Sequence, residues 1–305
     1  GTHVITLTVT DDDGDTGTDT LSVTVNEAPP TDGRISDSLQ VFYTFEEGAG
    51  ATVFDQSGAG TPIDLTIADT GAVTWGTGTL TINSATIIES STAAARVADA
   101  LKTSDQITME AWLTPTDLTQ VGPARILSMS SGPSTRNFTL GQGVNTSQPR
   151  DVFDARLRTG TTTTNGMPSL TSTTGVTTTL THVVFTYGAD GFVRMYIDGV
   201  EVASENRGGT LNNHNTGYRI GIANEIGGGR PWVGVLHLVA VYDRALTASE
   251  VAQNYSAGPQ DTPPGPTATP TLTQTPTATA TATLTPTATA TPTLTQPPTP
   301  TATAT

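Results

Sequence analysis

The side chains best equipped for chemistry in this chain are planar hydrogen-bonding groups at alternate positions. In residues 152–158 (VFDARLR), Phe153, Ala155 and Leu157 fall on one face of a strand, which puts Asp154, Arg156 and Arg158 in a row on the other. A carboxylate beside two guanidiniums can hold hydroxyl or acidic groups through paired donors and acceptors. Asn212, Asn213, His214, Tyr218, Arg230 and Trp232 follow in or beside a polar loop, and they add the amides and aromatic faces that sugar recognition needs. These residues form the expected ligand surface. Against that stands a structural role, with Asp154, Arg156 and Arg158 as ion pairs of a sheet and Trp232 as core.

Catalytic constellations are absent. The sequence holds no G-x-S-x-G elbow, no H-E-x-x-H helix and no G-x-x-x-x-G-K loop. Its four histidines (His3, His182, His214 and His237) have no metal-ligand spacing. His237 reads as a core or sheet-edge histidine sharing a face with Val235, Val239 and Val241. The run Asp11, Asp12, Asp13, Gly14, Asp15 could gather carboxylates on a hard cation, but Thr16 and Ser22 stand where a calcium loop needs glycine and glutamate. A solvated hairpin turn accounts for it better. The chain is therefore expected not to be an enzyme.

Composition narrows the partners. With 13 Lys+Arg against 28 Asp+Glu the net charge is −15, which repels nucleic acid and anionic membrane. Zero cysteines removes disulfides, zinc thiolates and thiol nucleophiles. No apolar run is long enough to span a bilayer. The chain begins at Gly1 without Met and stops in mid-repeat at Thr305, as a piece of a longer polypeptide would.

The elements that must position these groups are strands. Residues 2–10 and 21–25 alternate around the Asp/Gly turn and predict a β-hairpin, the end of a larger domain. Residues 27–38 are a Pro/Gly/Asp linker, after a hairpin fragment over residues 1–26. A strand is predicted to begin at Leu39, and others at 73–80, 85–88, 106–113, 125–129, 137–140, 152–158, 182–187, 192–197 and 218–222, with a helix over 92–101 whose wet side carries Arg96 and Asp99. Residues 232–242 are apolar on both faces apart from His237, as in a strand buried from two sides. Thr247 and Glu250 then form a capping box, with Leu246 stapled on Val251 and Gly258 ending the helix. From Thr262 to Thr305 there is no charge and the composition is mostly Thr, Pro and Ala, which predicts a disordered stalk over residues 259–305. Sequons occur at Asn137, Asn145 and Asn254.

Several spaced motifs carry a resemblance. Gly234, Leu236, Val239, Val241 and Tyr242, followed by Asp243, Arg244, Ala245, Leu246, Thr247, Glu250 and Val251, resemble the closing segment of laminin-G-like, concanavalin A-type jelly rolls. Glu47, Gly48, Gly50, Asp55, Ser57 and Gly58 resemble the opening segment. Ile107, Glu110, Trp112 and Pro115, and then Tyr196, Ile197, Asp198, Gly199 and Val202, match elements between them. The resemblance implies an all-β jelly-roll sandwich of two antiparallel sheets over residues 39–258, with opening and closing strands paired. It also implies recognition of carbohydrate or protein rather than catalysis, since the E-x-D-x-x-E strand of the related glucanases is missing. A structural calcium in this superfamily sits where first and last strands meet, which would draw on Asp55 or Glu46. His237 stands in place of the family's acidic residue, and a nitrogen is a poor calcium ligand. The N-terminal hairpin resembles the last two strands of a PKD domain, an immunoglobulin-like extracellular spacer.

The sequence thus predicts a non-catalytic, monomeric recognition module in a secreted or cell-surface protein. Its expected partner is an extracellular glycan or surface protein, with no nucleic acid and no membrane insertion. Two alternatives remain, an accessory domain of a secreted polysaccharide-degrading enzyme and an adhesion spacer.

Overall fold

The computed structural model describes residues 2–10, 12–24, 33–144 and 149–260. Asn145 and the predicted stalk beyond Gln260 lie outside these residues. In chain order the elements are β1 (Thr2–Thr10), β2 (Thr16–Thr24), β3 (Leu39–Tyr43), β4 (Thr52–Val53), β5 (Leu65–Ile67), β6 (Val73–Gly76), β7 (Thr79–Ile82) and β8 (Ile88–Ser90). Then come α1 (Ala95–Ser104), β9 (Ile107–Pro115), β10 (Ala124–Gly132), β11 (Thr135–Gln142), β12 (Phe153–Leu157), β13 (Leu170–Thr171) and β14 (Thr181–Tyr187). The last are β15 (Phe192–Ile197), β16 (Val200–Asn206), β17 (Arg219–Ile222), β18 (Gly234–Tyr242) and α2 (Ala248–Ala257). The predicted N-terminal hairpin forms, with β1 and β2 in register from Thr2 opposite Thr24 to Thr10 opposite Thr16.

The remaining strands make a two-sheet antiparallel jelly-roll sandwich. One sheet has the order β13-β12-β11-β10-β17-β8-β5-β4, and the other β16-β15-β14-β9-β18-β7-β6, with β3 also on β18. The opening strand does pair with the closing one, Val41 opposite Val241. Between the sheets lies the main core. Leu127, Met129, Phe138, Leu140, Phe153, Ala155, Leu157, Ile220 and Ile222 from the first sheet pack on Met109, Ala111, Leu113, Val183, Phe185, Val239 and Val241 from the second. The alternation predicted for β9 and β12 is thus realised, and the spare faces of both sheets are left to polar groups or to a second layer.

The second sheet's outer face is roofed by α2. Trp112, Val184, Leu238, Ala240 and Tyr242 form a smaller apolar cluster with Leu246 and Val251. The helix begins as its sequence dictates: the Thr247 hydroxyl accepts from the Glu250 N–H at 3.3 Å, and the Thr247 N–H donates to the Glu250 carboxylate at 2.8 Å. Beneath it Glu110, fully buried, accepts from Arg34, His182, Tyr242 and Asn254. Arg34 also donates to the Gly258 carbonyl at 2.6 Å. The segment from Gly33, which reads as linker, is therefore tied to the sandwich. Asn137 and Asn254 are both fully buried, so these two sequons are closed to modification in the folded chain.

Other departures have local causes. Residues 73–80 are not one strand but a hairpin turned at Thr77-Gly78, where Gly78 takes φ +61°. A bulge in β18 between Leu236 and Leu238 shifts the alternation, so Leu236, Val239 and Val241 share the core face and His237 is the odd residue out. His237 is half-buried against the Thr114 hydroxyl at 3.1 Å. Helix α1 starts at Ala95, three residues later than the pattern suggests, since Ala94 offers no side-chain cap.

Candidate functional site

The first sheet's outer face carries the charges. On β12, Asp154 and Arg156 point away from the core as predicted and pair with each other at 2.9 Å, both buried. Antiparallel pairing sets Thr139 opposite Arg156 and Gly141 opposite Asp154, and Ser128 opposite Thr139 in turn. Two further arginines join from β10 and β11. Arg125 donates through Nε to Glu225 at 2.7 Å, and Arg136 lies 3.5 Å from the same carboxylate. Glu225 also accepts from the Ser130 hydroxyl, and its loop is made possible by Gly227, Gly228 and Gly229, all with φ above +80°.

Three guanidiniums therefore share this patch with two carboxylates. Burial lowers the pKa of Arg136 to about 9, with the neighbouring Arg125 adding to the effect. Arg125 is also lowered by burial, against the opposing pull of Glu225. Not every polar atom in the patch is satisfied: Arg136 Nε and Asp154 Oδ2 are buried without a hydrogen-bond partner. A buried polar group left unpaired costs about 1–3 kcal/mol, and these two lie closed to solvent at the base of the face. Arg158, half-buried at the end of the strand, and Asn165, 3.4 Å from Arg156, border it.

The loop residues have other employment. The Asn213 amide donates to the Thr159 carbonyl at 2.8 Å and the His214 ring to the Arg158 carbonyl at 2.9 Å, so both clip the loop to the end of β12. Burial pushes the His214 imidazole down to about 4. Asn212 is exposed beside them. Tyr218 is half-buried against the main core, and Arg230 is close enough to Arg125 to repel its charge. Trp232 departs from the expectation outright. It is fully buried in the core with its indole N–H on Gln142 at 3.1 Å, so it offers no face to a ligand.

Asp55 is likewise committed. Its carboxylate accepts from the N–H groups of Phe42, Ser57 and Ile63 and from Arg96, at 3.0–3.2 Å, which makes it the organiser of the opening loop rather than an open cation ligand. Arg96, placed on the wet side of α1 by pattern, reaches inward to make that contact. Glu46 is exposed on the same loop, and among the described residues no three His, Asp or Glu side chains converge as a metal would require.

A family model described as the concanavalin A-like lectin/glucanases superfamily matches residues 89–252. The chain belongs to this superfamily. Solved structures of similar fold include domain 4 of the extracellular arabinanase AbnA from Geobacillus stearothermophilus, in complex with arabinotriose. It is 18% identical with a TM-score of 0.52, over 74% of this chain and 100% of that one. The Trypanosoma rangeli sialidase is 17% identical with a TM-score of 0.51, over 74% of this chain and 33% of its own. The binding domain of botulinum neurotoxin DC is 12% identical with a TM-score of 0.51, over 73% and 52% respectively. Comparison with curated protein sequences gives no match. Within the superfamily fold, Arg125, Arg136 and Glu225 are the site residues that pattern reading passes over. The one sequence signal for them is an acidic residue inside the glycine-rich run 224–230.

Proposed function

We propose that this domain is a non-catalytic glycan-recognition module of a secreted or surface protein, with the arginine-bearing sheet face as its ligand surface. The observation that carries the reading is the polar cluster of that face, where the Asp154–Arg156 pair is bordered by Arg158 and Asn165, both partly open to solvent. A sugar hydroxyl both donates and accepts, so adjacent hydroxyls complement a guanidinium and a side-chain amide such as those of Arg158 and Asn165. The neighbours lend support of a general kind. Among them the sialidase is described with sialic acid, and botulinum neurotoxin type C as interacting with two ganglioside molecules.

A glycan array probed with the full chain tests the reading, and binding to no glycan there defeats it. If a glycan binds, Asp154→Asn and Arg156→Ala should weaken it with β-sheet circular dichroism retained; full binding in both variants would move the site elsewhere. A second reading is favoured by one finding, the end-to-end coverage of an arabinanase domain. In that reading the module serves as accessory domain to a polysaccharide-degrading enzyme, and the array hits would be plant or microbial polysaccharide fragments.

A further inference from the structure

A second place on the molecule has the makings of a binding site, and it owes nothing to the arginine face. At the edge of the second sheet, β6 pairs among the described residues with β7 alone. Beside it lies an open depression of about 620 Å³, lined by Glu46, Gly48, Trp75, the turn from Gly76 to Gly78, and Gln260. That volume is within the roughly 300–1,000 Å³ range of small-ligand clefts. Two of its walls are built with some care. Phe45 is fully buried yet takes φ +56°, a conformation a large side chain rarely adopts, and this bend leaves the next residue, Glu46, exposed at the rim. On the far side Gln260 donates to the Gly78 carbonyl at 3.3 Å, and a Cβ at Gly78 would lie 2.3 Å from its amide oxygen.

Trp75 is the central feature. Its indole N–H already donates to the Gly50 carbonyl at 3.0 Å, which fixes the ring, and one part of the ring packs on the core. The half-exposed remainder lines the depression, so what it presents there is aromatic surface with no polar demand of its own. Next to it, Glu46 is exposed and has no hydrogen bond or ion pair among the described residues, so both carboxylate oxygens are open acceptors. The Thr77 side chain adds a hydroxyl.

We infer that this depression is a saccharide subsite for a neutral sugar, which stacks its C–H face on Trp75 and donates hydroxyl protons to Glu46. The pairing of a rigid aromatic face with a lone acceptor suits a pyranose or furanose ring, which is apolar on its faces and polar around its rim. A negatively charged sugar is disfavoured by Glu46 within a chain of net charge −15. The subsite differs in this from the arginine face, where cations outnumber anions.

Tryptophan fluorescence reads the subsite directly, because the other two tryptophans, Trp112 and Trp232, are 5% and 0% exposed. Titration of the full chain with neutral cello-, xylo- and arabino-oligosaccharides should change the emission saturably for at least one series. Trp75→Ala should abolish that optical change and weaken binding about tenfold or more by calorimetry, while Trp75→Phe, which keeps an aromatic face, should retain most of the affinity. Glu46→Gln should weaken binding less, and Arg156→Ala should leave it unchanged. An unchanged emission with all three series overturns the inference, as does calorimetric affinity unaltered in Trp75→Ala. Loss in Arg156→Ala but not in Trp75→Ala would overturn it while leaving the arginine-face reading intact.

Discussion

The buried carboxylate beneath α2 should be worth a large part of the domain's stability. Glu110 is fully buried and receives four donors: Arg34 and His182 (2.9 Å) on one oxygen, Tyr242 (3.2 Å) and Asn254 (2.8 Å) on the other. Burial alone would push its carboxyl up. Arg34 and His182 more than reverse that, and hold it at about 2 against an ordinary 4.5. A depression of that size corresponds to ~3 kcal/mol of preference for the ionised form in the folded state. The folded pKa is below the unfolded one, so this contribution is complete above about pH 4.5 and disappears as the pH falls through about 2.

Replacing Arg34 with Ala leaves the carboxylate buried without its cation, which typically costs about 3–5 kcal/mol, while Asn254→Ala removes one hydrogen bond to a charged group and should cost ~2 kcal/mol. Domains of this kind hold about 5–15 kcal/mol in all, so the first variant should approach unfolding. Urea unfolding at neutral pH, followed by far-ultraviolet circular dichroism, measures both. The double variant Arg34→Met with Glu110→Gln should be clearly less destabilised than its singles combined, since neither charge is then left alone. A loss under ~1 kcal/mol in Arg34→Ala, or strict additivity in the double variant, would refute the argument and return residues 33–37 to the status of a linker.

Two further outcomes follow from local geometry. His214 is held neutral by burial with its pKa at about 4, below the ordinary 6.5, so its contribution to stability is full above about pH 6.5 and declines as the pH falls toward 4. Its ring proton shifts in nuclear magnetic resonance should stay flat from about pH 8 to about pH 5, and a titration near 6.5 would show the loop open. Thr247→Ala removes the cap of α2 and should cost ~1 kcal/mol in thermal or urea unfolding, while Thr247→Ser should restore nearly all of it.

What the sequence discloses is what local rules decide. The capping box at Thr247 and Glu250 is read off four letters, because a cap depends on residues within one helical turn. The alternation of β9 and β12 is equally plain, since the period of a strand is two. Pattern reading fails where one residue changes the count. The bulge beside His237 shifts the faces of β18, and the Thr77-Gly78 turn splits a Thr/Gly-rich run that otherwise alternates acceptably. The ligand face is harder still. Arg125, Arg136 and Glu225 meet Asp154 and Arg156 because β10, β11 and β12 are neighbours and a loop a hundred residues later folds over them. Nothing in the spacing of those residues encodes that order.

The two tryptophans show why topology has to decide between equals. Trp75 and Trp232 both stand near glycines, and position marks Trp232 as the better candidate because it follows the Asn-rich loop. Gly234, two residues beyond it, lets the Trp232 ring fold back: a Cβ there would lie 2.4 Å from the indole. Gln142 on β11 then takes the N–H, so the largest side chain of the region is drawn inside with its one polar group satisfied. Trp75 also has its N–H satisfied, but by a loop carbonyl, and its strand lies at the sheet's edge, with β7 its one strand partner among the described residues. An aromatic residue on an edge strand has fewer neighbours to bury it, and any that stays half-exposed with its polar atom already bonded can attract only an apolar face. Which of the two tryptophans stays partly exposed is therefore decided by strand order and by one glycine rather than by the identity of its neighbours in sequence.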